Sequence, residues 1–192
     1  MLLGCEAARF HLPLANRFAL FAGSDAVHGP GLFSIGTGNR TLPELLALLE
    51  DHRIATVVDV RGIPFSRFRP EFARDPLAAH LQAAGFSYAW MGDTLGGRCN
   101  GAPPSAVRFR SALRRLALMG SDRRVAFLCA ELRPESCHRY RLLGCALEEA
   151  GVAVQHIDER GLLVPQRDLR MRVTGGQTTF DVVSEPVLAA AS

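Results

Sequence analysis

The chain has 192 residues, a hydrophobic fraction of 48%, a net charge of +3 and a pI near 8.8. That length suits one domain with a full core, and no apolar run is long enough to cross a bilayer, so no membrane partner is expected. The mild basicity permits an anionic partner without demanding one. Every fixed cation is Arg, because the sequence contains no Lys. Guanidinium recognises carboxylate and phosphate bidentately and stays charged when partly buried.

Five Cys (Cys5, Cys99, Cys129, Cys137, Cys145) is an odd count without a secretory context, which reads as reduced thiols in a cytoplasm. Leu2-Leu3-Gly4-Cys5 has the look of a lipoprotein cleavage box, but neither a basic nor an apolar segment precedes it, so lipidation is not expected.

Residues 1–30 lack periodicity and read as an N-terminal extension, partly disordered. Leu32 to Ile35 predicts a strand, broken by Gly36-Thr37-Gly38. Thr41-x-x-Glu44 is a capping box ahead of a helical stripe, Leu42, Leu45, Leu46, Leu48 and Leu49. Ile54 to Val60 is β-branched and nearly all apolar, as in a strand covered on both faces. A helix over Leu77 to Ala84 ends at Gly85, and Phe86 to Met91 alternates as a strand. Ala106 to Met119 predicts an amphipathic helix stopped by Gly120. Arg124 to Ala130 is the next strand, Cys137 to Ala150 a helix closed by Gly151, and Val152 to Ile157 a last strand.

Strands alternating with helices imply a three-layer α/β domain, with a mainly parallel sheet of about five strands flanked by helices. It is placed at 31–160. Residues 161–192 read as a C-terminal extension with short strands at Leu162 to Val164 and Phe180 to Val183, then a flexible Ala/Ser end.

Unusual segments follow these strands: Gly36 to Arg40, Asp59 to Arg69, Leu95 to Arg98 and Cys129 to Arg139. In a parallel sheet such segments collect at one edge, where ligands bind. Arg40, Arg61, Arg67, Arg69, Arg98 and Arg139 are therefore expected around one pocket, with Gly36-Thr37-Gly38 a weak candidate phosphate cradle.

The last segment carries the chemistry. Cys137 sits where a helix is expected to start, with Ser136 as cap, and free N–H groups there would favour thiolate; it is the expected nucleophile. His138 could orient or deprotonate a substrate, while Cys129 reads more readily as a buried strand-end thiol. Glu131 and Asp59 are candidate general bases, and Asp59 would alternatively pair with Arg61 or Arg139. Arg61, Arg67, Arg98 and Arg139 are expected to hold an anion, with Gly96-Gly97 allowing close backbone approach. Cys129, Cys137 and His138 could supply three zinc ligands, but no CxxC or HxxxH spacing is present and the Arg residues would repel a cation; neither metal nor cofactor is expected.

Ser34-Ile35-Gly36 with Arg40, Leu45-Leu46, Val58-Asp59-Val60-Arg61 with Pro64, Ser66 and Arg67, Leu95-Gly96-Gly97-Arg98, Leu128-Cys129-Ala130-Glu131 and Cys137-His138-Arg139 together resemble the bacterial and archaeal family catalogued as domain of unknown function 488. The likeness covers roughly 33–157. It implies the α/β fold and a shared site at those positions, and brings no reaction. Where the family often shows His or Tyr after the first turn glycine, this chain has Thr37. Val58-Asp59-Val60-Arg61 is also similar to rhodanese-type sulfurtransferases and phosphatases, but neither Cys129 nor Cys137 opens the compact Arg-closed loop of such enzymes.

The expected function is binding of a phosphate- or carboxylate-bearing small molecule or nucleotide at an Arg/Cys-rich site, with Cys137 acting on it as in a Cys-dependent transferase or hydrolase. The alternatives are a non-catalytic nucleotide or nucleic-acid binding module and a redox-sensing domain.

Overall fold

A computed structural model describes residues 29–97 and 105–174. The N-terminal extension up to residue 28, Arg98, Cys99 and the strand expected at Phe180 to Val183 lie outside the described residues.

The sheet has six strands: β1 (Gly31–Gly36), β2 (Thr56–Asp59), β3 (Ser87–Trp90), β4 (Arg124–Cys129), β5 (Val154–Ile157) and β6 (Leu163–Pro165), in the order β3-β2-β4-β1-β5-β6. The pairs among β1 to β5 are parallel, and β6 joins β5 antiparallel. This is the three-layer α/β architecture read from the sequence. β6 and the helix behind it, α6 (Gln166–Thr174), carry the packed unit past residue 160.

Period-2 geometry sorts the buried strands onto two faces. On β4, Val125, Phe127 and Cys129 pack with α3 (Gly92–Leu95), α4 (Ala106–Asp122) and α5 (Cys145–Glu149) through Leu95, Leu113, Leu116 and Leu147. Ala126 and Leu128 turn to the opposite face. There Leu45 and Leu49 of α1 (Leu42–Asp51) and Leu77 and Leu81 of α2 (Arg74–Ala83) meet Ile35, Val57 and Ile157.

The expected capping box forms: the Thr41 N–H donates to Glu44 Oε2 (2.6 Å) and Thr41 Oγ1 accepts from the Glu44 N–H (3.4 Å). Two boundary readings are corrected. Gly120 does not stop α4, which runs to Asp122. A Cβ there would lie 2.6 Å from the Leu32 side chain, so the glycine lets α4 press onto β1. Cys137 to Ala150 is not a uniform α-helix either. A 3-10 turn (Pro134–Ser136) precedes an extended Cys137 (φ −122°, ψ 153°), and a π-helical turn over Arg139–Gly144 leads into α5. Apolar spacing alone does not distinguish a π-turn from an α-turn.

The parallel strands place Gly36, Asp59, Trp90, Cys129 and Ile157 along one sheet edge. Among the described residues no helix is long and apolar enough to cross a membrane.

Candidate functional site

The carboxyl-terminal edge of the sheet is first of all a lattice of arginines. Arg61 Nε and Nη2 donate to the two Asp59 carboxylate oxygens (2.9 and 2.6 Å), Arg61 Nη1 donates to the Phe72 carbonyl (2.8 Å), and Tyr88 Oη donates to Asp59 (2.9 Å). Asp59 and Arg61 are both buried. They form a closed bidentate pair, the geometry that makes a buried charge tolerable. Their oxygens and nitrogens are saturated by one another, by the Phe72 carbonyl and by Tyr88.

Arg40 ties β1 to the end of β5, donating to the Gly36 carbonyl (2.6 Å) and the Asp158 carbonyl (2.5 Å). Arg69 donates to the Gly38 carbonyl (2.7 Å) and the Arg40 carbonyl, joining the loop after β2 to the loop after β1. Arg67 is exposed and lies against the Phe68 ring. The turn after β1 is likewise occupied: the Thr37 and Gly38 N–H groups donate to the Cys129 and Ala130 carbonyls (2.9 and 2.7 Å). That leaves those amides committed to β4 and unavailable as a phosphate cradle.

Arg139 is different. It is fully buried (0% exposed), its Nη2 donates to the Leu132 carbonyl (2.6 Å), and its Nε and Nη1 have no partner. No ion pair reaches it among the described residues. Burial lowers its pKa, opposed by the nearby Cys137 and Cys129. Gly36 makes room for it, since a Cβ there would lie 2.8 Å from Arg139 Nη1 and overlap the Glu131 carbonyl.

Beside Arg139 stand two thiols and an imidazole. Cys129 ends β4, and the Cys137-His138 turn folds back over it. His138 Nδ1 is 3.4 Å from Cys129 Sγ and 3.6 Å from Cys137 Sγ. Cys129 and Cys137 are buried, His138 half-buried with its Nε2 unpartnered. The neighbouring Cys137 S–H, with His138 and the Glu131 N–H, draws the Cys129 thiol down against the desolvation that raises it. Cys137 is pushed up by its hydrogen bond to Cys129 and by burial, with the Arg139 N–H (3.5 Å) opposing.

The helix start expected at Cys137 does not form: no regular helix begins there and Ser136 caps none, so the helix-terminus argument for a thiolate at Cys137 falls away. The exposed Glu131 side chain stands apart from this cluster, its backbone alone serving Cys129. Gly97 lies against the imidazole, a Cβ there falling 3.2 Å from His138 Cβ, and Gly96 packs against Gly62 and Gly92. Arg98 lies outside the described residues. The packing of Cys129 with Cys137 in one cluster becomes visible only once β4 is registered against its neighbours.

A cleft of about 390 Å³ opens at this edge, lined by Asn39, Arg40, Leu132, Glu159 and Arg160 among others. Leu132 borders it and also supplies the carbonyl that holds Arg139. A second cleft, about 270 Å³, lies at the opposite sheet edge by Gly31, Gly120 and Arg124 and contains no thiol.

Residues 41–107 match the family model described as Domain of unknown function DUF488. The resemblance to this family read from the sequence is borne out over those residues. The DUF488 match holds Asp59, Arg61, Arg67, Gly96, Gly97 and Arg98, whereas Cys129, Glu131, Cys137, His138 and Arg139 follow it in the chain. No curated protein and no solved structure matches the chain.

Proposed function

We propose that this chain binds an anionic small molecule, phosphate- or carboxylate-bearing, with Arg139 as its charge partner, and that the adjacent Cys129–Cys137–His138 cluster supplies the chemistry that acts on it. One observation carries the reading: a fully buried guanidinium keeps two nitrogens without any acceptor. An unpaired buried charge is costly, and folds retain one where a ligand completes it. Most of the other described arginines at the edge are committed to carbonyls or to Asp59, so the anion site is narrower than the sequence suggested. Leu132, whose carbonyl holds Arg139, also borders the cleft of about 390 Å³.

Calorimetric titration of the full chain with inorganic phosphate, a nucleoside monophosphate and a dicarboxylate tests this. Saturable binding of at least one, lost in Arg139→Met and partly kept in Arg139→Lys, is expected. Arg139→Met should fold as well as the parent or better, because an apolar side chain replaces a desolvated cation. Unchanged binding in Arg139→Met, or no binding by the parent chain, overturns the proposal.

A further inference from the structure

The ligand atoms of Cys129, Cys137 and His138 all lie within 4.8 Å of one another. The two S···N separations, 3.4 and 3.6 Å, converge on one nitrogen, His138 Nδ1. A ring nitrogen carries either one proton or one lone pair, so it can make one good hydrogen bond to this pair of sulfurs, not two. A single ion between the three atoms satisfies all of them. Zinc held tetrahedrally at about 2.3 Å from sulfur and about 2.05 Å from nitrogen sets S···N edges of about 3.6 Å, which both observed separations fit.

The surroundings suit thiolate ligands. Cys129 accepts from the Glu131 N–H and Cys137 from the Arg139 N–H, the kind of outer hydrogen bond that orients metal-bound sulfur. The imidazole is held by packing, with Gly97 against its Cβ. Two sulfurs and a nitrogen in tetrahedral array favour zinc over calcium or magnesium, which take oxygen.

We infer that Cys129 Sγ, Cys137 Sγ and His138 Nδ1 bind a zinc-type divalent ion, leaving a fourth position for an exogenous ligand. Binding takes both sulfurs as thiolates and releases to solvent the thiol protons they still carry, so the dication and two thiolates form a neutral centre. Arg139 then faces no net positive charge, which answers the objection that nearby arginines repel a cation. With three protein ligands the centre has the open form of catalytic zinc sites. The fourth position would take the anion that Arg139 receives, and this last clause rests on the function proposed above.

The test uses the full chain, stripped with a chelator and titrated with Zn²⁺ and with Co²⁺ as a spectroscopic stand-in. One equivalent per chain is expected, with the visible bands of tetrahedral cobalt and thiolate-to-cobalt charge transfer. Cys129→Ser and His138→Gln should each weaken binding by about 100-fold or more, at least the loss seen when an outer partner of a metal ligand is removed. Should Cys129→Ser fail to fold, alkylation of the parent chain decides: Zn²⁺ should protect Cys129 and Cys137 and leave Cys145 reactive. Absence of stoichiometric uptake, or uptake unchanged in both variants, overturns the inference. Arg139→Met separates the two proposals, because it should keep the cobalt spectrum while losing the anion. A chain that binds anions but takes up no metal sinks the metal site alone, and the reverse result sinks the anion reading alone.

Discussion

His156 makes the stability of this protein depend on pH in a calculable way. It lies on β5, 0% exposed, between Ser34 Oγ (2.6 Å from Nδ1) and Gln166 Oε1 (2.7 Å from Nε2). Gln166 directs its Nε2 toward the Tyr140 carbonyl and Cys145 Sγ, so its Oε1 accepts, His156 Nε2 carries the proton and Nδ1 accepts from Ser34. Burial, aided by the charge of Arg139 and opposed by the Gln166 hydrogen bond, lowers the pKa from 6.5 to about 4. The folded value lies below the unfolded one, so the unfolded chain takes the proton first as pH falls. The stabilisation is complete above about 6.5 and is lost as pH drops toward 4. At 1.36 kcal/mol per pH unit the whole span is worth about 3 kcal/mol, and about 2 kcal/mol disappears between pH 7 and pH 5. Urea unfolding at those two pH values should show the midpoint falling by about 1 M, given a slope of roughly 2 kcal/mol/M. Most carboxylates remain ionised over that interval, and comparison with His156→Gln separates this residue from the other five histidines. His156→Gln is less stable throughout but should lose far less between pH 7 and pH 5. Equal losses in parent and variant would refute the buried-neutral assignment.

Removing one partner of the closed ion pair should be severe: Asp59→Asn leaves Arg61 buried and uncompensated, and about 3–5 kcal/mol is expected to be lost by denaturant titration. Gly36→Ala forces a methyl into the Glu131 carbonyl and Arg139 Nη1, so about 1–3 kcal/mol of destabilisation should accompany weakened phosphate binding in the same calorimetric assay. Gly120→Ala should lower the melting temperature as well, because its Cβ would meet Leu32 although helix propensity favours Ala. Arg67→Ala, at an exposed side chain, should leave stability within about 0.5 kcal/mol in a thermal melt.

Much of the fold was readable along the chain because its signals are local. Thr41 and Glu44 sit three residues apart and form their box whatever surrounds them. The apolar runs of β2 and β4 predicted strands, the first covered on both faces, and both strands are buried along their length. Gly120 misled because a glycine ending a helix and a glycine admitting a neighbour are identical in sequence. The Cys137 segment misled for a related reason: the apolar spacing of Tyr140, Leu143 and Leu147 suits a helix, and nothing local shows the π-turn that leaves Cys137 extended.

The candidate site divides along the same line. Which groups gather was set by strand order, since residues that follow parallel strands must meet at one edge, and the sequence alone determined that Cys129, Cys137, His138 and Arg139 would lie there. Their roles were decided only by tertiary contacts. Asp59 and Arg61 saturate each other, Arg40 and Arg69 are spent on carbonyls, and the exposed Glu131 side chain stands apart. Arg139, by contrast, is buried with donors to spare beside two buried thiols. The physical reason is range. Periodicity and capping act over a few residues and are written in the order of the chain, whereas hydrogen-bond saturation and desolvation depend on what the folded chain brings within a few ångströms.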